Sequence, residues 1–241
     1  MASQMVFKRY ELKYKISDFQ KREILKAFEN KMQLDKYGRT TIRNLYFDTD
    51  NFRLIRRSIE KPFYKEKLRV RSYSLSSRDG EVFLELKKKY DSVVYKRRLT
   101  LKEKEVMDAF KFKSKLPVLS QIGDEIEYFR SYYKDLKPRV FLSYEREAYF
   151  ALDKSDFRVT FDENILYRQD NLTLTADPYG TKVLEEGYSL MEIKTSGGIP
   201  MWLTEVLSRL KIYKTSFSKY GKAYEDILNK QKEEKGYARV V

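Results

Sequence analysis

Between Phe63 and Leu99 the chain reads FYKEKLRVRSYSLSSRDGEVFLELKKKYDSVVYKRRL, and charged and apolar residues alternate through it with a period of two. Arg69 and Arg71 stand two apart, as do Phe83, Glu85 and Lys87, and then Lys96 and Arg98. The residues between the charged ones are Val70, Val82, Leu84, Leu86, Val94 and Leu99. Side chains in a strand alternate faces, so the pattern predicts three consecutive strands with a charged face opposite an apolar one. Arg78-Asp79-Gly80 supplies a turn between two of them. An isolated strand of this kind turns its charges to water. Three neighbouring strands that all present arginine or lysine crowd like charges on one face, and this is unfavourable unless an anion sits there.

The same reading extends along the chain. Val6 to Ile16 predicts a strand with Arg9, Glu11 and Lys13 on one face and Tyr10, Leu12 and Tyr14 on the other. Ser17-Asp18 opens a helix to about Asn30, with Phe19, Ile24, Leu25 and Phe28 as its core stripe. Thr40 to Asp48 is a strand, and Asn51 to Ser58 a short basic helical turn. Leu101–Lys113 and Asp124–Lys134 have helical spacing, broken near Pro117. Strands resume at Arg139–Ala151, Asp156–Glu163 and Tyr188–Lys194, and helices at Pro200 to about Leu210 and Ser218–Lys230. Residues 164–186 give no clear element beyond an Asp177-Pro178-Tyr179-Gly180 turn. Strands follow one another in hairpins more than they alternate with helices. The expected class is α+β, an antiparallel sheet closed or nearly closed, helices outside, in a single domain.

Composition narrows the chemistry. Lysine and arginine outnumber acids 50 to 36, a net charge of +14 that calls for a polyanionic partner. Cysteine and histidine are both absent. That excludes disulfides, thiolate metal sites and cysteine nucleophiles, along with the serine–histidine triad, and leaves carboxylates as the strong side-chain metal ligands. No apolar run approaches the ~20 residues of a spanning helix, and MASQMVFKRYELKYK lacks the apolar stretch of a signal peptide. The expected location is cytoplasmic.

Taken together, the charged strand positions are Lys13, Arg69, Arg71, Lys87, Lys96, Arg98, Arg146, Arg158 and Lys194, with Glu11, Glu85 and Glu192 among them. A barrel lined by about eight cations is unstable unless it holds a polyanion, because buried charges need partners. Arginine forks suit phosphate oxygens, and lysine adds point charge. Carboxylates among them suit a divalent metal bridging protein and phosphate. Arg56-Arg57, Lys87-Lys88-Lys89 and Lys96-Arg97-Arg98 resemble nucleic-acid patches, but the strict alternation of Lys87 and Lys89 argues against a nucleic-acid surface. Asp48 and Asp162 read as turn caps at strand ends. Tyr46, Phe47, Tyr144 and Tyr149 read as core, and Trp202 as packing.

The ordered set Glu11-x-Lys13-Tyr14, Tyr46-Phe47-Asp48, Arg69-x-Arg71-x-Tyr73, Phe83-x-Glu85-x-Lys87, Lys96-Arg97-Arg98, Tyr144-x-Arg146-x-Ala148, Arg158-x-Thr160-x-Asp162, Met191-Glu192-x-Lys194 and Phe217-Ser218-Lys219-Tyr220 resembles the VTC domain. This is the polyphosphate polymerase domain of the vacuolar transporter chaperone family, one of the triphosphate tunnel metalloenzymes. The resemblance spans roughly residues 6–228. It implies a tunnel-like antiparallel β-barrel of about eight strands and a polymerase that transfers the terminal phosphate of ATP to phosphate or polyphosphate. By the resemblance, Lys13, Arg69, Arg71, Lys87, Lys96, Arg146 and Arg158 hold the phosphates. Arg98, Lys194, Lys219, Glu11 and Glu85 line the substrate, and Glu192 is the carboxylate for Mn2+ or Mg2+. Two positions depart from related patterns. Arg9 precedes Glu11-x-Lys13 where the triphosphatase branch has a glutamate, and Ser216 stands where a second lysine is usual in the family. The alternatives are a metal-dependent triphosphate hydrolase and a non-catalytic polyanion-binding module. The sequence names no protein partner.

Overall fold

The computed structural model describes residues 10–91 and 93–237. Arg9 and the first residues assigned to the opening strand lie outside these. In chain order the elements are β1 (Tyr10–Ser17), α1 (Asp18–Ala27), β2 (Met32–Leu34), β3 (Thr40–Asp48), α2 (Arg53–Ile59), β4 (Tyr64–Ser72), β5 (Glu81–Tyr90) and β6 (Val93–Lys102). There follow α3 (Glu103–Phe112), α4 (Gln121–Tyr133), β7 (Lys137–Ala151), β8 (Arg158–Arg168), β9 (Thr181–Lys182), β10 (Tyr188–Thr195), α5 (Met201–Arg209) and α6 (Lys219–Tyr237).

The strands pair in the order β1-β10-β8-β7-β3-β4-β5-β6, with β2 on β7 and β9 on β8. The registered pairs are antiparallel. The α+β antiparallel class is the expected one. The path has two ends, β1 and β6, so hydrogen bonding does not close the expected barrel into a ring among the described residues.

Two compact units share the chain, and β7 and β8 each contribute to both. The first takes the described part of Met1–Thr41 with Tyr144–Ile165 and Leu184–Phe217. Its core gathers Tyr14, Ile16, Ile24, Phe28, Phe161 and Leu203 with their neighbours. Helix α1 starts at a capping box: Ser17 Oγ accepts from Gln20 N at 3.2 Å, and Gln20 Oε1 accepts from Ser17 N at 2.9 Å. Ile24 and Phe28 enter the core as expected, but Phe19 does not and is 57 % exposed. The helix stops at Ala27, short of Asn30, which takes a left-handed φ of 58° before β2. Strand β2 is only three residues long, too short to show a period. Trp202 packs edge-on to Phe28 and Phe157, as read from the sequence.

The second unit takes Ile42–Ser143, Leu166–Val183 and the described part of Ser218–Val241. Leu68, Val70, Val82, Leu84, Leu86 and Leu99 form its core with side chains of α3 and α4. Val94 is the exception and is 47 % exposed. It shares the parity of Lys96 and Arg98, so it belongs on their face, near the end of the β5–β6 hairpin. Asp48, fully buried, accepts the N–H groups of Thr49, Leu54 and Ile55 and the hydroxyl of Tyr220. It caps α2 and ties α6 to the end of β3, the structural role expected of it. Residues 164–186 are organised by Arg168, which the sequence did not single out. Its guanidinium lies 3.5 Å from the Phe141 ring centre and donates to the carbonyls of Asn171, Thr173, Asp177 and Tyr179. Gly180, at φ +136°, is required there, because a Cβ would lie 2.1 Å from the Tyr167 carbonyl oxygen.

Candidate functional site

The candidate residues fall into two clusters, one in each unit. In the second unit the sheet register places Glu85 opposite Arg69 on β4 and Arg98 on β6. Because Leu84 and Leu86 are pinned in the core, Glu85 must point to the other face with the cations. It is 1 % exposed and accepts from Arg69 Nε at 2.8 Å, Lys96 Nζ at 2.7 Å and Arg98 Nε at 2.8 Å, with Arg71 Nε at 3.8 Å. Burial opposes its charge, but Arg69, Arg71 and Lys96 outweigh that and hold the carboxyl well below its usual range. Burial pulls Lys96 downward in spite of Glu85. One carboxylate thus collects four cations, and the cluster carries an excess of three positive charges.

The arginines are aimed by further contacts. Arg69 donates to Tyr46 Oη at 3.1 Å, and Arg71 donates through Nε to Asn44 Oδ1 at 3.0 Å. Lys87 lies in register between Lys67 on β4 and Lys96 on β6. Lys67 Nζ donates to Ser218 Oγ at 3.1 Å, next to Lys219 at the start of α6. Tyr73 receives Arg98 Nη2 at 3.1 Å.

In the first unit the centre is Glu192 on β10, 5 % exposed. Register places it opposite Lys13 on β1 and Thr160 on β8. Lys13 Nζ lies 3.5 Å from Glu192 Oε1 and 3.2 Å from Glu11 Oε1. Arg146 and Lys194 lie 3.4 and 3.6 Å from Glu192 Oε2. Arg146 also makes two bonds of 2.6 Å to Asp162, a bidentate pair. Burial lowers Lys194, against the pull of Glu192. Arg158 faces Lys194 in register and stacks on Phe150 at 4.5 Å. A short segment runs along β1: Thr215 N donates to the Lys13 carbonyl at 2.7 Å, and Lys13 Nζ donates to the Phe217 carbonyl at 3.1 Å.

Among the described residues no three carboxylates come together as a cation site. The donor set does fit a metal carried in on a triphosphate. Magnesium-type ions take one or two protein carboxylates and fill the remaining positions with phosphate oxygens and water. Glu192 and Glu11, joined through Lys13, offer that much.

A family model, the VTC domain, matches residues 8–228. The chain belongs to the VTC domain family. No curated protein matches it. Among solved structures, a protein of Bacillus halodurans described as a "putative adenylate cyclase" is 15 % identical with a TM-score of 0.54, over 88 % of this chain and 94 % of that one. A Hippeastrum protein described as a "putative adenylyl cyclase" with "a dominant triphophatase activity" is 16 % identical with a TM-score of 0.50, over 88 % and 93 %. At such identities the likeness is one of fold, the triphosphate-tunnel fold to which VTC domains belong.

Of the residues expected from the VTC resemblance, Glu11, Lys13, Arg146, Glu192 and Lys194 meet in the first unit, with Arg158 beside them on β8. Arg69, Arg71, Glu85, Lys96 and Arg98 meet in the second, with Lys87 in the same register row. Lys219 opens α6. Asp162 corrects the sequence reading. It caps no strand end, because β8 runs on to Arg168, and it is the fully buried partner of Arg146. Its parity with Arg158 and Thr160 was the signal that could have found it. Tyr46 is core by burial, but its hydroxyl serves Arg69. Lys67, which carries the same alternation as Arg69, joins this row without being among the expected residues.

Proposed function

We propose that this VTC domain is an ATP-dependent phosphotransferase of the polyphosphate polymerase type, which moves the terminal phosphate of ATP to phosphate or polyphosphate. The observation that carries this reading is the cluster around Glu85, in which four cations share one buried carboxylate. Such a group gains most from an incoming polyanion with many oxygens, and guanidinium pairs supply bidentate contacts to it.

The chemistry asks little else of the protein. An acceptor phosphate oxygen attacks the γ-phosphorus, the bond to the β–γ bridging oxygen breaks, and ADP leaves. Arg69, Arg71, Arg98 and Lys96 would hold phosphate oxygens in place and neutralise the charge that spreads over them. Lys13, Arg146 and Lys194 would do the same beside Glu192. A divalent ion brought in on the triphosphate would add neutralising charge at Glu192 and Glu11. An acceptor phosphate is already anionic, so no histidine is needed to activate it.

A second reading, hydrolysis of triphosphates, uses the same residues with water as acceptor. It is favoured by the triphosphatase activity in the description of the Hippeastrum protein. The test is incubation with ATP and manganese or magnesium, with products resolved by gel and phosphorus NMR. Phosphate chains with ADP support the polymerase. Free phosphate without chains replaces it with the hydrolase, and absence of turnover with any triphosphate overturns both.

A further inference from the structure

Tyr73 lies just beyond β4, where Ser72 ends the strand, and has no part in the transfer described above. Its oxygen receives two guanidinium groups, Arg98 Nη2 at 3.1 Å and Arg71 Nη1 at 3.5 Å. Its ring packs edge-on to Phe83, with centroids 5.5 Å apart, and this fixes the direction of the phenol. Guanidinium groups only donate, and among the described residues the phenol donates no hydrogen bond of its own. The charged groups around it are Arg71 from β4, Arg98 from β6 and, behind them, Glu85 from β5 and Lys96 from β6. This is the environment of an anion. Burial alone would raise the phenol, but Arg71 and then Arg98 outweigh it and lower it to about 8.

The oxygen of Tyr73 therefore occupies the position that a phosphate oxygen would take between two arginines of the cationic cluster. At 43 % exposure the ring can be reached from solvent. We propose that Tyr73 is a phosphate-binding residue: it fills the oxyanion position between Arg71 and Arg98 in the free protein, yields it to a terminal phosphate group, and then donates its O–H to that group. A terminal phosphate presents one more non-bridging oxygen than an internal one, so a third donor beside two arginines selects the end of a phosphate chain. This inference rests on the phosphate-binding reading of the cluster and specifies which group of the substrate binds there.

The exchange has a proton balance. Once the arginines turn to phosphate, the phenolate loses the charges that stabilised it and takes a proton from solvent. Above pH 8 binding therefore consumes a proton and weakens as pH rises, by up to roughly tenfold per pH unit at full coupling. Below that pH the phenol already holds its proton and the dependence disappears.

The experiment is calorimetric titration with inorganic tripolyphosphate, without metal, in buffers of different ionisation heat, about one pH unit above and below 8. Wild type and Tyr73→Phe are compared, so that the ligand's own protonation cancels. The expected result is extra proton uptake by wild type at the higher pH only, with a roughly three- to tenfold loss of affinity in the variant at the lower pH. An independent readout needs no variant: tripolyphosphate added above pH 8 should remove phenolate ultraviolet absorbance from wild type. Equal proton counts in the two proteins, or unchanged phenolate absorbance on binding, overturn the inference and leave the phosphate reading standing. Failure of wild type to bind tripolyphosphate at either pH overturns the phosphate reading itself, and this inference with it.

Discussion

The cluster around Glu85 and the cluster around Glu192 are built alike and charged differently. Each hangs on a buried carboxylate in mid-strand, fixed by apolar neighbours on the opposite face of the same strand. Around Glu85, four cations meet one acid. Around Glu192, the ion pairs among the described residues join Lys13, Arg146 and Lys194 to Glu192, Glu11 and Asp162, three against three. An unbalanced cluster is completed by an anion. A balanced one has no such deficit, and its carboxylates can accept a cation that arrives with the anion. Under the proposed function, the difference would divide the labour: the β4–β6 cluster would take bare phosphate oxygens, and the β1–β10–β8 cluster a phosphate group that carries a metal.

The strongest way to break this comparison is to remove a buried partner from the balanced side. Arg146→Ala strips the bidentate partner from a fully buried Asp162 and should cost about 3–5 kcal/mol of stability, read by denaturant unfolding. Glu85→Gln should cost less, about 2–3 kcal/mol at low salt, because its cations are partly solvated. Tripolyphosphate should restore more stability to this variant than it adds to wild type. If the ligand stabilises both equally, the cluster is not short of negative charge.

The acid side follows from Glu85. Its carboxyl is lowered in the folded chain, from an ordinary value of 4.5, so its contribution is fully present above that value and is lost as pH falls through the folded-state range. Wild-type stability should therefore decline below about pH 4.5 more steeply than that of Glu85→Gln, measured as unfolding midpoints against pH. At the small end, Val94→Thr should change stability by no more than about 0.5 kcal/mol, whereas Leu84→Ala should lose about 2–4 kcal/mol. Both are valid tests of the parity that places Val94 with the charged face.

The strands carrying both clusters were legible in the sequence because period-two alternation survives wherever one face is buried. Arg69, Glu85, Arg98, Glu192 and Lys194 could be assigned to a face without coordinates. What alternation does not encode is which cations share a carboxylate, since that depends on cross-strand register. Hence Glu85 read as one lining residue among many, when it holds four. Asp162 stays hidden as the partner of Arg146 because the pattern predicts the end of β8 five residues early, at Glu163 instead of Arg168. Tyr73 was visible only as a letter of a motif, because the two arginines that meet at its oxygen come from different strands. Residues 164–186 stayed opaque for a related reason: Arg168 orders them through backbone carbonyls, which leave no trace in side-chain pattern.

The division of labour is tested most directly by titrating metal-free tripolyphosphate into wild type, Arg69→Ala and Glu192→Gln. The account predicts at least a roughly tenfold loss of affinity for Arg69→Ala, the scale of one charge-assisted hydrogen bond, and a change within about threefold for Glu192→Gln. The same Glu192→Gln protein should lose on the order of a hundredfold in turnover of ATP with manganese. The reverse order of affinities, with Arg69→Ala binding like wild type and Glu192→Gln weakened, would contradict it.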